Sequence, residues 1–310
     1  LHFDFIVMPE LPEVQTIVTD LNKKIKGDII TDFWSDYRKA IKNKFKEFVK
    51  NIKGRKILGA KRIGKNIFIN LSGNKTIYIH LKMTGHLLVK SLKGEKPKNK
   101  EKENYFDDRV NQYVHHIWKL KTKSQKLKAE KRMEFSDLRK FAKIVLVDTN
   151  KIKELKEIKN LGVDVMSDEF TLKKFQEILE KNSARGGSAY GGKKIRDILM
   201  DQQIVSGIGN IYASEILYEA GVFPERLIKS LKKEEIIFIY KSIKKILKKA
   251  IKLRGTSDSD YRDTSGKPGG FQKVLKVYQR AGKKCLKCGK IIVRLKIGQR
   301  SSFHCSKCQK

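Results

Sequence analysis

Residues 8–14 read Met8-Pro9-Glu10-Leu11-Pro12-Glu13-Val14 and combine a proline after a methionine, two glutamates and the first residues of an apolar stripe. The stripe has the i, i+3, i+4 spacing of an amphipathic helix and comprises Leu11, Val14, Val18, Leu21 and Ile25. Proline is tolerated in a first helical turn, and acidic side chains there suit the positive end of the helix dipole. The simplest interpretation is an ordinary, well-capped helix start.

The same residues also support a chemical interpretation. If Met8 is the first residue of the active protein and is removed, Pro9 carries a free secondary amine. A chain-terminal amine has a pKa of about 8, so a useful fraction is an unprotonated nucleophile at neutral pH. Its attack on a sugar C1′ would give an iminium ion, and the neighbouring Glu10 could move protons during that reaction. We therefore expect residues 1–7 to be absent from the active protein.

The charge balance indicates a polyanionic partner. Among 310 residues, Lys and Arg total 70 and Asp and Glu total 34, which gives a net charge of +36. Such a surplus points most often to nucleic acid, although a lysine-rich proteome would also produce it. No apolar run is long enough for a membrane span, and residues 1–7 lack the features of a signal peptide. We expect a cytoplasmic, reducing location, where disulfides are rare.

Secondary-structure patterns divide the chain into two parts. After the first helix, short alternating segments predict the strands of a β-sandwich at 56–62, 66–71, 76–81, 113–120 and 143–148. A lysine-rich stretch over 89–132 predicts a long exposed loop around one of them. Beyond residue 160 the pattern changes to helices at 171–181, 193–204, 211–219 and 230–253, with a glycine-rich loop at 186–192.

The four cysteines form two Cys-x-x-Cys pairs separated by 16 residues: Cys285, Cys288, Cys305 and Cys308. This spacing suits a tetrahedral zinc ion held on two tight turns, with a β-hairpin between them. Four thiolates leave no open position for water, so the predicted zinc is structural. Disulfide pairing is the alternative, and it is disfavoured in a reducing compartment.

Several of these segments resemble one family. Residues 8–14 are similar to the amino terminus of the formamidopyrimidine-DNA glycosylases, bacterial enzymes that excise oxidised purines. The segments His80-Leu81-Lys82-Met83-Thr84-Gly85-His86 and Phe135-Ser136-Asp137-Leu138-Arg139-Lys140-Phe141 also resemble family motifs, as do the turn Gly207-Ile208-Gly209-Asn210 and the cysteine tail. The resemblance covers nearly the whole chain.

The resemblance implies an α+β multidomain fold. Residues 1–7 would be an extension, and residues 8–155 a catalytic domain made of an N-terminal helix and a β-sandwich. Residues 156–280 would form a helix-two-turns-helix domain for DNA binding that carries a loop for the damaged base. Residues 281–310 would form a zinc-ribbon β-hairpin.

It also implies a bifunctional DNA glycosylase and abasic-site lyase, cutting the strand by β,δ-elimination. Pro9 would form a Schiff base, Glu10 would carry protons, and Lys65 would contact phosphates beside the lesion. The partner would be double-stranded DNA with damaged bases or abasic sites, bound by a monomer that holds one zinc ion.

The remaining implied residues bind DNA. Flipping a base leaves a gap in the duplex, which the family fills with three side chains; here these are Met83, Arg139 and Phe141. Core packing would also explain the methionine and the phenylalanine. Helix-terminal amides beside Asn210 would bind phosphate. Lys267 would contact the extruded base, and Arg300, at the hairpin tip, another phosphate.

Other classes of protein remain open at this point. A non-catalytic zinc-ribbon DNA-binding protein or an RNA-associated structural protein would explain the charge and the cysteines. Neither would explain why Pro9-Glu10, the three gap-filling residues and Asn210 occur together. Among enzymes, the alternative is an endonuclease VIII-like glycosylase for oxidised pyrimidines. The leucine at position 11 is similar instead to the sequence pattern of the formamidopyrimidine branch.

Overall fold

The computed structural model describes residues 8–91, 105–122, 130–183, 192–258 and 260–310. The predicted extension at 1–7, residues 92–104 and 123–129 of the predicted basic loop, and residues 186–191 of the predicted glycine-rich loop lie outside the described residues.

The described chain contains helices, strands and short 3-10 turns. The helices are α1 (Leu11–Lys24), α2 (Phe45–Ile52), α3 (Lys156–Lys159), α4 (Leu172–Ser183), α5 (Ile195–Met200), α6 (Asn210–Ala220) and α7 (Lys233–Lys252). The strands are β1 (Ile29–Ser35), β2 (Ile57–Ile63), β3 (Asn66–Leu71), β4 (Lys75–His80), β5 (His86–Ser91), β6 (Val114–Lys121), β7 (Glu130–Ser136), β8 (Lys143–Asp148), β9 (Val163–Asp164), β10 (Val205–Ser206), β11 (Val293–Ile297) and β12 (Arg300–His304).

The amino-terminal half is a β-sandwich, which confirms the prediction. Its two antiparallel sheets have the strand orders β1-β6-β7-β5 and β2-β3-β4-β8. Side chains from both sheets, such as Trp118 and Phe135 from one and Ile67 and Ile79 from the other, form one buried core. Burial of this apolar surface is the main force that stabilises the sandwich.

The carboxyl-terminal half is helical and ends in the predicted β-hairpin. Helices α4 to α7 share a second core that extends to Cys285 and Phe303 of the tail. Between α5 and α6, the Gln202 side chain holds the predicted two turns together by donating to Ile208 O (2.7 Å) and accepting from Gly207 N (3.0 Å). The helix predicted over 193–204 is shorter, because the chain leaves helical geometry at Asp201 to form these turns.

Helix α1 belongs to both cores. Leu11, in its first turn, is completely buried in the helical core, whereas Val14 and the apolar residues after it lie in the sandwich core. Leu11 N also donates to Gly207 O (3.0 Å). Gly207 has φ +114°, and a side chain there would collide with Leu11. The start of α1 is therefore fixed against the turn that precedes α6.

Some elements differ from the sequence predictions. Helix α2 lies before residue 56, in a stretch for which no element is predicted, and it buries Phe48 and Ile52 against the sandwich. The first and last residues of the predicted loop over 89–132 belong instead to strands β5 and β7. These strands pair with each other, with His86 opposite Ser136 and Ser91 opposite Lys131. Strand β1 is likewise unpredicted and pairs with β6.

Candidate active site and nucleic-acid interface

The Glu10 carboxylate joins the two halves of the molecule. Glu10 is the N-cap residue of α1, and its side chain accepts hydrogen bonds from Gly209 N (2.6 Å) and Ile211 N (3.0 Å). These amides belong to the first turn of α6, where the helix dipole favours an anion. Only 3% of Glu10 is exposed. The predicted nucleophile Pro9 is also buried. Its neighbour Glu10 is thus held rigidly by these hydrogen bonds.

Lys65 meets Glu10 at the same turn. It follows Gly64, which has φ +58°, in the connection between β2 and β3, and it is 9% exposed. A Cβ added to Gly209 would lie 2.5 Å from Glu10 Oε1 and 2.8 Å from Lys65 Nζ. Only a residue without a side chain therefore lets the carboxylate and the amine lie against this turn together.

The connection that carries Lys65 is fastened to the other half of the molecule. Asp164 accepts hydrogen bonds from Gly64 N (2.7 Å) and from the Arg62 guanidinium, whose Nη2 lies 3.2 Å from Asp164 Oδ1. The guanidinium also forms an ion pair with the second carboxylate oxygen. Such two-point pairing restricts orientation as well as distance.

Burial shifts the protonation of both groups. It raises the pKa of the Glu10 carboxyl, although the Lys65 cation and the helix amides act in the opposite direction. It lowers the pKa of the Lys65 amine, which Glu10 partly offsets and Arg300 reinforces. The two pKa values are therefore shifted towards each other, which favours proton transfer at this turn.

Glu13 is a second buried carboxyl that sequence reasoning did not assign to the site. It accepts hydrogen bonds from Glu10 N (2.7 Å), Tyr212 Oη (2.5 Å) and Thr256 N (2.7 Å). Burial, reinforced by the Glu10 charge, raises its pKa to about 7. Its place in the first turn of α1 was visible in the sequence, but its partners come from distant parts of the chain.

Asn210 connects the helix that carries Arg196 to the strand that carries Arg300. Arg196 Nη2 donates to Asn210 Oδ1 (2.9 Å), and Asn210 Nδ2 donates to Ser301 O (3.0 Å), next to Arg300. Burial lowers the pKa of both the Lys65 amine and the Arg196 guanidinium, and the Arg300 charge adds to each shift, so Arg300 lies within electrostatic reach of both. Arg196 is 4% exposed, and its Nε has no hydrogen-bond partner among the described residues. This arrangement suits a phosphate group.

Arg196 was not predicted from the sequence. It stands second in the short apolar helix α5, where a buried cation is unusual and could have served as the signal. Its role becomes visible only when α5 and α6 are placed side by side.

Two surface turns bring the predicted gap-filling residues together. Met83 lies in the turn between β4 and β5, and Arg139 and Phe141 lie in the turn between β7 and β8. The Arg139 guanidinium stacks over the Phe141 ring at 4.8 Å, and half of Phe141 is exposed. Thr84 connects the turns by accepting from Arg139 N (3.0 Å) and donating to Asp137.

The predicted lesion loop bridges the two halves of the protein. Val89 N donates to Thr264 O (2.9 Å), and Thr264 Oγ1 donates to Asp20 Oδ2 (2.9 Å). The structure places the Lys267 ammonium over the Tyr105 ring at 4.9 Å. Its predicted base contact stays a prediction.

The four cysteine sulfurs fit one zinc ion. All lie within 4.8 Å of one another, with Sγ–Sγ distances of 3.8 Å for Cys285–Cys308 and 3.5 Å for Cys288–Cys305. Tetrahedral zinc with bonds of about 2.3 Å separates its sulfurs by about 3.8 Å, whereas a disulfide separates them by about 2 Å. The zinc prediction is confirmed, and pairing as disulfides is not observed among these residues.

None of the helices in the described ranges combines the length and the apolar character needed to cross a membrane.

Comparison with known protein families gives three matches along the chain. They are the formamidopyrimidine-DNA glycosylase N-terminal domain over residues 8–144, the formamidopyrimidine-DNA glycosylase H2TH domain over 161–261, and a zinc finger found in FPG and IleRS over 282–310.

Curated relatives match over their full length. A formamidopyrimidine-DNA glycosylase of Pelotomaculum thermopropionicum is 37% identical over 98% of this chain and 99% of its own length. One of Carboxydothermus hydrogenoformans is 36% identical over 98% of this chain and all of its own length.

Solved structures agree. Lactococcus lactis Fpg in complex with DNA containing an abasic site has a TM-score of 0.80 at 30% identity, covering 97% of this chain and all of that one. MutM in complex with DNA containing carbocyclic 8-oxo-G has a TM-score of 0.78 at 30% identity, with the same coverage.

Proposed function

We propose a reaction and a set of residue roles for this chain on the premise that it belongs to the formamidopyrimidine-DNA glycosylase family. It is a base-excision repair enzyme that removes oxidised purines from double-stranded DNA and then acts as an abasic-site lyase. One observation supports the residue roles above all others: the Glu10 carboxylate and the Lys65 amine are buried together beside Pro9, at the first turn of α6.

Pro9 is the proposed nucleophile. Its amine nitrogen forms a bond to the sugar C1′ while the glycosidic bond breaks and the departing base takes up a proton. Loss of the amine proton and opening of the C1′–O4′ bond then give an iminium ion, with a proton delivered to O4′. This chemistry needs a free amine, because the nitrogen of a proline inside a chain is an amide.

Glu10 is the proposed proton carrier for these steps. Burial raises the pKa of its carboxyl, so the group can hold a proton and release it beside the reacting sugar. The amides of Gly209 and Ile211 stabilise the carboxylate once the proton has left. The same pair of hydrogen bonds fixes the direction in which the carboxyl faces.

Elimination follows from the iminium ion, which withdraws electrons from the sugar. Removal of a C2′ proton breaks the 3′ C–O bond in the β step, and a second elimination releases the 5′ phosphate in the δ step. The cations Lys65, Arg196 and Arg300 lie near the first turn of α6 and are the proposed contacts for the phosphates next to the lesion. Neutralising a phosphate makes it a better leaving group.

Duplex distortion is assigned to the turn residues. Phe141 is half exposed and stacked by Arg139, so the pair can enter the gap left by the flipped base while the guanidinium bonds to the orphaned partner base. Met83, on the turn joined to them through Thr84, would fill the remaining space.

Zinc has a structural part in this proposal. When bound, it stabilises the fold of the tail, and its four thiolates leave no position for a reacting water. The tail in turn holds Arg300 at the start of β12, next to the Asn210–Ser301 hydrogen bond. Because its substrate is chromosomal DNA, the enzyme acts inside the cell, and association with the bacterial nucleoid is part of the proposal.

A trapping experiment tests the assignment of Pro9. Two polypeptides, one beginning at Pro9 and one retaining residues 1–8, are each incubated with 8-oxoguanine duplex and borohydride, which reduces an iminium ion to a stable amine. The first should crosslink, with mass spectrometry placing the DNA on Pro9, and the second should not. Equal crosslinking by the longer polypeptide, verified intact, would show that another amine, such as that of Lys65, is the nucleophile.

Parallel duplexes test the substrate class. Excision of 8-oxoguanine and formamidopyrimidine should be faster than excision of dihydrouracil, and undamaged duplex is the control. Faster excision of dihydrouracil would favour an endonuclease VIII-like enzyme instead.

A further inference from the structure

The hydroxyl of Tyr218 lies against a zinc ligand. Tyr218 is in the last turns of α6 and is 1% exposed, and its Oη lies 3.2 Å from Cys285 Sγ. Among the described residues, the hydroxyl has no other hydrogen-bond partner. A buried phenol usually finds a polar partner, and here that partner is a metal ligand from the tail.

The direction of this hydrogen bond follows from the zinc. A cysteine bound to zinc is a thiolate and can only accept, so the phenol must donate. Cys285 Sγ receives a second donor, Lys287 N, at 3.4 Å. The Lys287 ammonium lies over the Tyr218 ring, 4.7 Å from its centroid. A cation at the ring face withdraws electron density and makes the hydroxyl a stronger donor.

The donors to Cys285 stabilise the negative charge of the metal centre. One Zn²⁺ and four thiolates carry a net charge of −2, and two of the four cysteines are buried. Hydrogen bonds to a ligand sulfur stabilise this charge, fix the ligand and slow its departure from the metal. The tail supplies the backbone donor Lys287 N to Cys285, whereas Tyr218 supplies a side-chain donor from helix α6.

We propose that Tyr218 is a positioning residue of the zinc centre, whose hydroxyl donates to the zinc-bound Cys285 thiolate and slows loss of the metal. The same helix binds Glu10 through its first turn, about 12 Å along its axis from Tyr218. The hydrogen bond therefore ties zinc retention to the helix that organises the active site. This role holds whichever base the enzyme excises.

Substitution Tyr218→Phe in the full-length zinc protein tests the proposal, because it removes the hydroxyl and keeps the ring. Transfer of zinc to the chromogenic chelator 4-(2-pyridylazo)resorcinol is followed by absorbance, after circular dichroism confirms folding. We expect zinc release to accelerate by roughly tenfold, as for other groups that hydrogen-bond to metal ligands. An acceleration below about threefold would overturn the proposal.

Tyr240→Phe is the matched control. It removes a hydroxyl that donates to Phe170 O (3.1 Å), away from the cysteines, and should leave the release rate unchanged. Equal acceleration in both variants would show a general loss of stability and would overturn the proposal.

A second substitution covers the case in which Tyr218→Phe does not fold. Incorporation of 3-fluorotyrosine at position 218 keeps the hydroxyl and makes it a stronger donor. Zinc release should then be slower than in the unmodified protein, the opposite of the effect of Tyr218→Phe. An unchanged or faster rate would contradict the donation of a hydrogen bond to Cys285.

Discussion

Substitution Gly209→Ala should disable the active site without changing its reacting groups. A Cβ at this position would lie 2.5 Å from Glu10 Oε1, whereas ordinary contact begins at 3.4 Å, so the carboxylate must move by about 0.9 Å. That movement stretches the hydrogen bonds from Gly209 N (2.6 Å) and Ile211 N (3.0 Å). Gly209 has an ordinary φ of −132°, so the effect comes from the collision and not from backbone strain.

The expected loss follows from this displacement. A reacting group misplaced by about 1 Å costs on the order of 100-fold in rate, which corresponds to about 2.7 kcal/mol in the barrier. Overpacking should also lower the free energy of unfolding by about 1–3 kcal/mol. The assay is single-turnover excision of 8-oxoguanine from a duplex, with enzyme in excess so that weaker binding does not limit the rate.

Gly54→Ala is a control that introduces backbone strain without a collision. Gly54 has φ +78°, but an added Cβ would meet nothing within 4 Å. This variant should lose about 1 kcal/mol of stability and keep its excision rate. If folded Gly209→Ala excises within about threefold of the unaltered enzyme, the turn does not position Glu10 for the reaction.

Four further outcomes are expected. Because burial raises the folded-state pKa of Glu13 to about 7, above its unfolded value, the stability that its protonated carboxyl contributes is lost as pH rises from 4.5 towards 7. In urea titrations the Glu13→Gln variant should lack this loss, of about 3 kcal/mol, and an identical pH profile would contradict the assignment. Arg139→Ala should reduce excision from a lesion duplex by about tenfold or more, but reduce cleavage of a preformed abasic site much less, whereas equal losses would indicate a general defect. Arg300→Ala should reduce the log–log salt slope of duplex binding by about one, and an unchanged slope would remove this residue from the DNA surface. Cys305→Ser should lose zinc by metal analysis and lose duplex affinity, while near-ultraviolet circular dichroism shows the amino-terminal domain still folded; retention of one zinc per chain would contradict the ligand set.

Local sequence pattern was sufficient for several elements. Strands β3 and β8 have the bounds predicted, because each is a run of β-branched and apolar residues between turn residues. Helix α2 is not predicted, although Phe45, Phe48, Val49 and Ile52 have helical spacing, because eight residues are too few to distinguish a helix by periodicity. Strands β5 and β7 depend on pairing with each other, which no local pattern contains.

The candidate site shows the same division. Cysteine spacing predicts the metal centre because each Cys-x-x-Cys pair forms a tight turn that supplies two of the four ligands. The meeting of Glu10 with Gly209 joins residues 199 positions apart, and the pairing of Arg196 with Asn210 depends on how two helices pack. The family resemblance pointed to Glu10 and Asn210, but geometry alone brought Arg196 and Glu13 into the site.

The sharing of α1 between two cores has a consequence for synthesis on the ribosome. The first turn of α1 is made early, yet Leu11 and the Glu10 carboxylate find their partners only when residues 207 to 211 emerge. Until then the nascent chain holds an apolar side chain and a carboxylate with no place to be buried. The order of translation therefore leaves the first turn of α1 without these partners until residues 207 to 211 exist, so a product truncated before them cannot hold the Glu10 carboxylate in place.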